Sequence, residues 1–206
     1  MKDRNIEKIF ELASLISRLK DEKRFKTVKN FDGDTVAAHS WRLAILVFLI
    51  AEELKLDINV LRAVKLALVH DFPEAVTGDL DAHLLYKNVK LRKDKIDNEI
   101  VAIDKISSIL SFSGKEELKK LWNEYSEADT KEARYVYVLD KIEGVYTFIE
   151  PSDSNHYNNP DLIATYCIKG YKLFPELKPV LDFVQNKIKL KFDERDFPWK
   201  KEYDEK

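Results

Sequence analysis

The sequence predicts an all-α protein folded as a single-domain helical bundle, and two observations lead there. Apolar residues recur at three- and four-residue steps along most of the 206-residue chain, which is the period of an amphipathic helix. Glycine and proline number only 5 and 6, too few for the turns that a β-sandwich or barrel needs roughly every 8–12 residues. Hydrophobic residues make up 45% and charged residues 35%, so one core under a charged surface can form.

Helices are predicted wherever the apolar period holds and a capping or breaking residue marks an end. Asp34 or Thr35 can cap the second helix and Asp57 the third, because their side-chain oxygens accept hydrogen bonds from free N–H groups. The third helix is almost entirely apolar, so we expect it in the core, ending near Pro73. Residues 150–160, with two prolines, are expected to form the longest loop. The predicted helices span approximately residues 5–20, 35–54, 57–73, 88–111, 115–127, 130–149, 160–173 and 176–189.

One domain is predicted over residues 1–190, because no composition shift or linker divides the chain. Residues 191–206 are expected to form a charged C-terminal tail that packs only through Phe192, Phe197 and Trp199.

Charge and cysteine content exclude several classes. The net charge of −2 gives no general reason to expect a nucleic-acid polymer or an acidic membrane as partner. The single cysteine, Cys167, excludes an internal disulfide and a cysteine-based zinc cluster. The longest apolar run, Leu43–Ala51, is far shorter than the roughly 20 residues that span a bilayer. With a charged N-terminal stretch that does not resemble a secretory signal, the sequence predicts a soluble cytoplasmic protein.

Two histidines and an aspartate are candidate metal ligands. His39 lies on the second predicted helix, and the dipeptide His70-Asp71 ends the most apolar one. A carboxylate there needs a cation, because a buried unpaired charge is strongly disfavoured. Two imidazoles and carboxylates from separate helices can build a divalent-metal site in a helical bundle.

Three further acidic residues follow apolar or turn segments. Asp140 comes directly after an apolar stretch and is the candidate for another ligand; alternatively it belongs to a solvated ion-pair face with Lys141 and Glu143. Glu74 and Asp79 can stand beside a metal and serve in proton transfer. Alternatively, Glu74 pairs with a helix dipole and Asp79 is a turn residue.

The remaining histidines, His83 and His156, lie in polar, turn-rich stretches and are expected to be solvated. Tyr125 and Tyr137 are expected to pack between helices rather than to stack on a base.

The combination of His39, His70-Asp71 and Asp140 resembles the H…HD…D signature of the HD-domain metal-dependent phosphohydrolases. The longer strings HDFPEAVTGD and EARYVYVLD resemble, within that family, the 5′-deoxynucleotidase subgroup. The resemblance extends from residue 9 to residue 146. It implies a helical bundle of the HD-domain type and a homodimer. It also implies that these four residues hold one divalent transition metal, Co or Mn by precedent, with Fe, Ni and Zn also compatible with the nitrogen and oxygen ligands.

The resemblance also assigns roles around the metal. Glu74 matches a catalytic glutamate near the attacking water and the leaving oxygen, and Asp79 matches a second catalytic or sugar-contacting acid. Arg24 matches an arginine that contacts the phosphate, and Phe25 stands where an aromatic residue, commonly Trp, packs against the sugar. Arg24 lies in a cluster of basic residues that alternatively forms a solvated charged face, but an arginine, unlike a lysine, can present a bidentate fork to a phosphate.

The expected function is therefore metal-dependent hydrolysis of deoxy- or ribonucleoside 5′-monophosphates, with a small-molecule nucleotide as the substrate. One alternative is another HD-type phosphohydrolase, acting on phosphodiesters or guanosine polyphosphates. A second is a metal-binding regulatory domain without turnover. Ala38, where the subgroup often has an acidic residue, favours the second alternative, whereas Glu74 and Asp79 oppose it.

Overall fold

The computed structural model describes residues 2–28, 33–111, 113–149 and 159–204. Over these ranges the chain is helical apart from turns and one isolated antiparallel bridge between Lys23 and Thr35. The predicted all-α class is confirmed. None of the helices described combines the length and apolar character needed to cross a membrane.

Eight helices were predicted, and the described residues contain eleven α-helices, because two short ones were not predicted and the helix expected over 160–173 is divided in two. Short 3₁₀ turns occupy Ser17–Lys20, Pro175–Leu177 and Lys201–Asp204. The α-helices are α1 (Lys2–Ile16), α2 (Val36–Glu53), α3 (Val60–Val69), α4 (Glu74–Thr77), α5 (Ala82–Leu85), α6 (Val89–Ser107), α7 (Gly114–Glu127), α8 (Lys131–Ile149), α9 (Pro160–Thr165), α10 (Gly170–Leu173) and α11 (Lys178–Asp193).

The core forms where α2, α3 and α8 contact one another, with α7 packed on α3 and α11 packed on α8. The apolar residues expected to pack on α8 are all buried, namely Val136, Val138, Leu139, Ile142 and Val145. The third helix lies in this core, as predicted, through Ala63, Leu66, Ala67 and Val69. Because these three helices carry or precede the candidate metal ligands, burial of their apolar faces also brings the ligands together.

Two helix starts are decided by capping side chains. Thr35, rather than Asp34, caps α2, and its hydroxyl accepts a hydrogen bond from Ala38 N at 3.2 Å. The predicted cap of α3 is wrong: Asn59, not Asp57, accepts from Arg62 N at 3.0 Å. This helix is also shorter than predicted and ends at Val69, four residues before the proline. The chain then turns tightly into the unpredicted short helix α4.

The C-terminal third differs from prediction in two places. The helix predicted over 160–173 is two short helices, α9 and α10, and Gly170 lies at the junction because a Cβ there would stand 2.7 Å from Val138 Cγ1. The last helix, α11, continues to Asp193, beyond the predicted boundary at residue 190. Past it, Tyr203 is buried and its hydroxyl donates to Asp161, an anchor absent from the predicted packing of the tail.

Helix α1 forms but ends at Ile16, and only part of its apolar face is covered, since Leu12 and Leu15 pack against the core. The side chains of Ile6, Ile9 and Phe10 are all exposed. Most of the predicted long loop, residues 150–158, lies outside the described residues, and so does His156.

Candidate active site

Three candidate ligands meet at the junction of α2 and α3. His39 projects from α2, and His70 and Asp71 follow the last residue of α3. His70 Nε2 lies 3.3 Å from His39 Nε2 and 3.0 Å from Asp71 Oδ2, while His39 Nε2 lies 3.7 Å from that same oxygen. One donor atom from each residue falls within 4.8 Å of the others, so these three side chains could hold a metal ion.

Asp140 of α8 joins this cluster from the opposite side. Its Oδ1 lies 3.2 Å from His39 Nε2 and 4.0 Å from His70 Nε2. The carboxylate is 6% exposed, which rules out a solvated ion-pair face. Its second oxygen, Oδ2, accepts from the Tyr125 hydroxyl at 2.8 Å and from Lys141 Nζ at 2.7 Å. Tyr125 therefore does more than pack between helices, since it orients a candidate ligand.

The hydrogen bonds of the two imidazoles indicate why a cation fits here. His39 Nδ1 donates to the carboxylate of Glu143, and His70 Nδ1 donates to the Ala67 carbonyl at 2.8 Å. Because these acceptors bind the Nδ1–H groups, the Nε2 atoms of both rings point toward the same place. Two Nε2 atoms 3.3 Å apart could share a divalent cation, and hydrogen bonds at the far nitrogen are what orient histidine ligands.

Both carboxylates of the cluster remain ionised. Burial raises the pKa of Asp71, but His70 and His39 hold it below its ordinary value. Burial acts on Asp140 in the same way, and Lys141 with His39 holds its pKa well below the ordinary value. Ionised oxygens and neutral imidazoles are the donor set that a divalent transition metal takes.

Glu143, one turn beyond Asp140, was not recognised from the sequence as part of the site. It is fully buried, and besides His39 it binds two guanidinium groups, accepting from Arg42 Nε at 2.6 Å and Arg24 Nη1 at 3.2 Å. Burial raises its pKa, but His39 and the two arginines lower it to about 2. The one signal in the sequence is its spacing of three residues from Asp140, which places both on the same helix face.

Glu74 and Asp79 form an acidic side of the site, and their surroundings differ from those of the candidate metal ligands. Glu74 is 4% exposed, and its Oε1 accepts from Lys95 Nζ of α6 at 3.1 Å. Its Oε2, like Asp79 Oδ2, is buried and has no hydrogen-bond partner among the described residues. Burial, reinforced by Asp71, raises the pKa of Glu74 well above its ordinary value. Burial raises the pKa of Asp79 to about 7, against the opposing charge of Arg24.

Arg24 reaches the site from the segment between the first 3₁₀ turn and α2. Its backbone N–H donates to the Asp34 carbonyl at 2.9 Å, which ties this segment to the start of α2. Although burial lowers it, the pKa of Arg24 is raised by Glu143, Asp71 and other carboxylates, so the guanidinium is permanently charged. The residues that follow are held by Asp81, whose carboxylate accepts from Lys26 N at 3.0 Å.

Phe25 adopts a left-handed backbone conformation with φ of 59°, uncommon for a residue with a side chain. Its ring is 5% exposed and packs edge-on against Phe148, with centroids 4.6 Å apart. The Arg24 guanidinium carbon lies 4.9 Å from the centre of the Phe25 ring. Phe25 thus supports the arginine by a cation–π contact. His83, which the sequence indicated to be solvated, is instead half-buried with its ring edge-on to Phe148.

Fold and site together define a class: a helical protein with a buried histidine–aspartate cluster suited to a divalent metal, flanked by acids and an arginine. The chain belongs to the HD-domain family, because the family model with the description "HD domain" matches residues 16–175.

Several similar proteins are named as 5′-deoxynucleotidases. The chain is 35% identical over 118 residues to the 5′-deoxynucleotidase HDDC2 of Xenopus laevis, covering 57% of this chain and 55% of that protein. It is 32% identical over 124 residues to the human protein of the same name, covering 60% and 57%. The match therefore spans a little over half the length of these relatives. The resemblance to HD-domain proteins and to the 5′-deoxynucleotidase subgroup is confirmed.

Solved structures show the same fold. One, described as a predicted metal-dependent phosphohydrolase from Magnetospirillum magnetotacticum, aligns with a TM-score of 0.72 and 21% identity over 95% of this chain and 100% of that one. The PH0347 protein of Pyrococcus horikoshii aligns with a TM-score of 0.72 and 23% identity over 86% and 99%. At these identities the likeness shows the fold, and the predicted helical bundle of the HD-domain type is confirmed.

Proposed function

We propose that this chain is a metal-dependent phosphohydrolase that converts deoxy- or ribonucleoside 5′-monophosphates to nucleoside and phosphate. The observation that carries the proposal is the meeting of two imidazole Nε2 atoms and two ionised carboxylates beside Glu74, a buried acid with one oxygen that no described residue hydrogen-bonds. The name of the curated relatives supports the same activity.

The metal ligands in this proposal are His39, His70, Asp71 and Asp140. When bound, a divalent metal supplies Lewis-acid chemistry, polarising a phosphoryl oxygen and lowering the pKa of water. Co or Mn is proposed, with Fe, Ni and Zn also compatible with the nitrogen and oxygen donors. Glu143 and the Ala67 carbonyl hold the imidazoles with Nε2 directed inward.

Glu74 is proposed as the acid that protonates the leaving oxygen. Water attacks phosphorus, the bond from phosphorus to the 5′-oxygen breaks, and the Glu74 proton passes to that oxygen. A raised pKa favours the protonated carboxyl that this role requires, and Lys95 donates to its other oxygen. Asp79, whose pKa is about 7, is proposed to contact the sugar or to take up the proton from water.

Arg24 is proposed to bind the phosphate, and Phe25 is proposed to contribute to sugar contact. The guanidinium is held between Glu143 and the Phe25 ring, so its direction is set before substrate arrives. Because Phe25 is almost fully buried, its main effect in this proposal is through the position of Arg24.

We further propose that the protein acts as a cytoplasmic homodimer on a small-molecule nucleotide, with neither a nucleic-acid polymer nor a membrane as partner. The net charge of −2 is consistent with the absence of a polyanionic partner.

The test is phosphate release by the purified chain, stripped of metal and reloaded with Mn or Co, on matched deoxy- and ribonucleoside 5′-monophosphates. We expect release that depends on metal and is lost in Asp71→Asn. Bound metal without release from any monophosphate would reject the proposal. Phosphodiesters and guanosine polyphosphates would then be assayed, and inactivity on these would leave a metal-binding regulatory domain.

A further inference from the structure

A groove of about 500 Å³ opens beside the metal-binding cluster. Its walls come from α5 with Tyr86 directly after it, from α8, from the segment from α9 to α10, and from one side chain each of α6 and the last 3₁₀ turn, Arg92 and Glu202. We call it the tyrosine groove, after Tyr86, Tyr137 and Tyr166, which line it together with Lys141 and Arg92. Its volume lies within the range of roughly 300–1,000 Å³ that is usual for small-molecule pockets.

The inner end of the tyrosine groove adjoins the residues that would bind the phosphate and metal. Lys141 lines the groove, and its Nζ is 2.7 Å from Oδ2 of the candidate ligand Asp140. Tyr166 and Arg24 approach each other across Gly144, where a Cβ would stand 3.7 Å from Tyr166 Cε1 and 3.6 Å from Arg24 Nη2. A phosphate held by Arg24 and the metal therefore has the groove next to it.

The chemistry of the walls suits a planar, polar ring. Lys141 Nζ lies 4.9 Å from the centre of the Tyr137 ring and 5.6 Å from that of Tyr166, which holds both rings in place. Among the described residues, no hydrogen bond occupies the hydroxyls of Tyr86, Tyr137 or Tyr166, so they remain available to a ligand. Aromatic faces with free polar groups are what bind nucleobases, since every base offers a π-face.

A second cavity near Arg24, formed by the described residues, is far smaller. The cavity beside Phe25 and Phe148 measures about 10 Å³, room for one water at most. This second cavity is too small to hold a base whose phosphate lies at the metal-binding cluster.

We propose that the tyrosine groove binds the base of a nucleoside 5′-monophosphate whose phosphate lies at the metal-binding cluster, an inference that rests on the proposed phosphohydrolase function. Tyr137 and Tyr166 contact the base and determine affinity for the nucleoside part of the substrate. This is a role that the sequence pattern did not indicate for Tyr137.

The experiment uses the full Mn-loaded chain and two substrates, a 2′-deoxynucleoside 5′-monophosphate and 2-deoxyribose 5-phosphate, which lacks the base. In Tyr137→Leu and Tyr166→Leu we expect KM for the nucleotide to rise about 10- to 100-fold, with little change for the sugar phosphate. Tyr166→Phe keeps the ring and loses only the hydroxyl, so its KM should lie between those of the wild type and Tyr166→Leu. Tyr146→Leu, on α8 but outside the groove, is the matched control and should change neither KM.

A binding measurement separates the two proposals. Calorimetric titration with 2′-deoxyadenosine and 2′-deoxycytidine needs no turnover, and we expect binding to the wild type that weakens in both leucine variants. Tyrosine-dependent binding in a chain that releases no phosphate would reject the phosphohydrolase but keep the groove. Phosphate release with an unchanged nucleotide KM in both leucine variants would overturn the groove alone, as would an equal loss on both substrates. Tyr86→Ala, at the groove's edge, tests the same point should the leucine variants fail to fold.

Discussion

The two sides of the candidate active site are built differently. On the side of the candidate ligands, three residues are held by hydrogen bonds outside the cluster: Glu143 accepts from His39 Nδ1, the Ala67 carbonyl accepts from His70 Nδ1, and Tyr125 and Lys141 donate to Asp140. On the acidic side, Glu74 and Asp79 each bury an oxygen that no described residue satisfies. Hydrogen bonds therefore orient the candidate ligands, whereas the acidic side keeps two buried oxygens without a hydrogen-bond partner among the described residues.

The difference follows from what each side would have to do. A metal ligand must keep its orientation and charge state, which saturated hydrogen bonds provide. An acid in proton transfer must form a new hydrogen bond to the substrate or water during the reaction. A buried oxygen without a partner lowers stability, but it is free to make that bond. Burial raises the pKa of Glu74 and Asp79, while the ligand carboxylates keep low pKa values.

The largest effect is expected from breaking the ligand side itself. Asp71→Asn removes a charged donor and should abolish metal binding, lowering phosphate release at least ~10³-fold, since a metal contributes several kcal/mol at the transition state. Metal content by elemental analysis and phosphate release measure this. Asp94→Asn, an exposed acid on α6, is the control, and full metal occupancy in Asp71→Asn would contradict the ligand assignment.

Changing the acidic side should leave the metal in place. Glu74→Gln keeps the shape of the side chain but cannot transfer a proton, so we expect normal metal content with kcat lowered about 10²–10⁴-fold. Glu99→Gln, which alters the other acid bonded to Lys95, should cost much less. Normal turnover in Glu74→Gln would remove its catalytic role, and metal loss would make it a ligand.

A smaller effect tests the support of His39. Glu143→Gln loses the charge that binds the His39 Nδ1 proton and both arginines, so Mn affinity should fall about 10–100-fold without loss of the fold. Titration with Mn in the wild type and variant measures this. Glu127→Gln, exposed at the end of α7, should bind as the wild type does; an unchanged affinity in Glu143→Gln would show that the imidazole is positioned without it.

The smallest effect concerns stability of the metal-free chain. The pKa of Asp79 is raised from 3.8 to about 7, so the native state binds this proton more tightly than the unfolded state. Stability linked to Asp79 therefore falls as pH rises from about 4 to 7 and stays low above that range. Asp79→Asn should gain on the order of 1–3 kcal/mol at pH 8 and much less at pH 5.

Thermal unfolding in chelator at both pH values measures the difference. Asp57→Asn, exposed before α3, should show no such pH-dependent gain. An equal change at the two pH values would mean that the Asp79 carboxyl has an ordinary pKa.

Much of the fold and part of the site were predictable because their signals are local. Helix α8 follows an apolar period, and its five expected core residues are buried. Four of the candidate site residues lie within ten positions of one another, namely His70, Asp71, Glu74 and Asp79. Local turns after α3 are enough to bring them close together, so their grouping could be predicted. The start of α3 was not predictable, because Asp57 and Asn59 are both good N-cap residues and packing selects between them.

The sequence by itself determined which segments become helices, which faces are apolar and which short motif carries the acids. Only the tertiary structure decided the partners: Glu143 with His39, 104 residues apart, Arg24 with Glu143, 119 apart, and Lys95 with Glu74. The physical reason is that apolar burial is non-directional, so periodicity tells which face is covered but not by what. Hydrogen bonds between distant residues form only where packing of α2, α3 and α8 has already brought their donors and acceptors together.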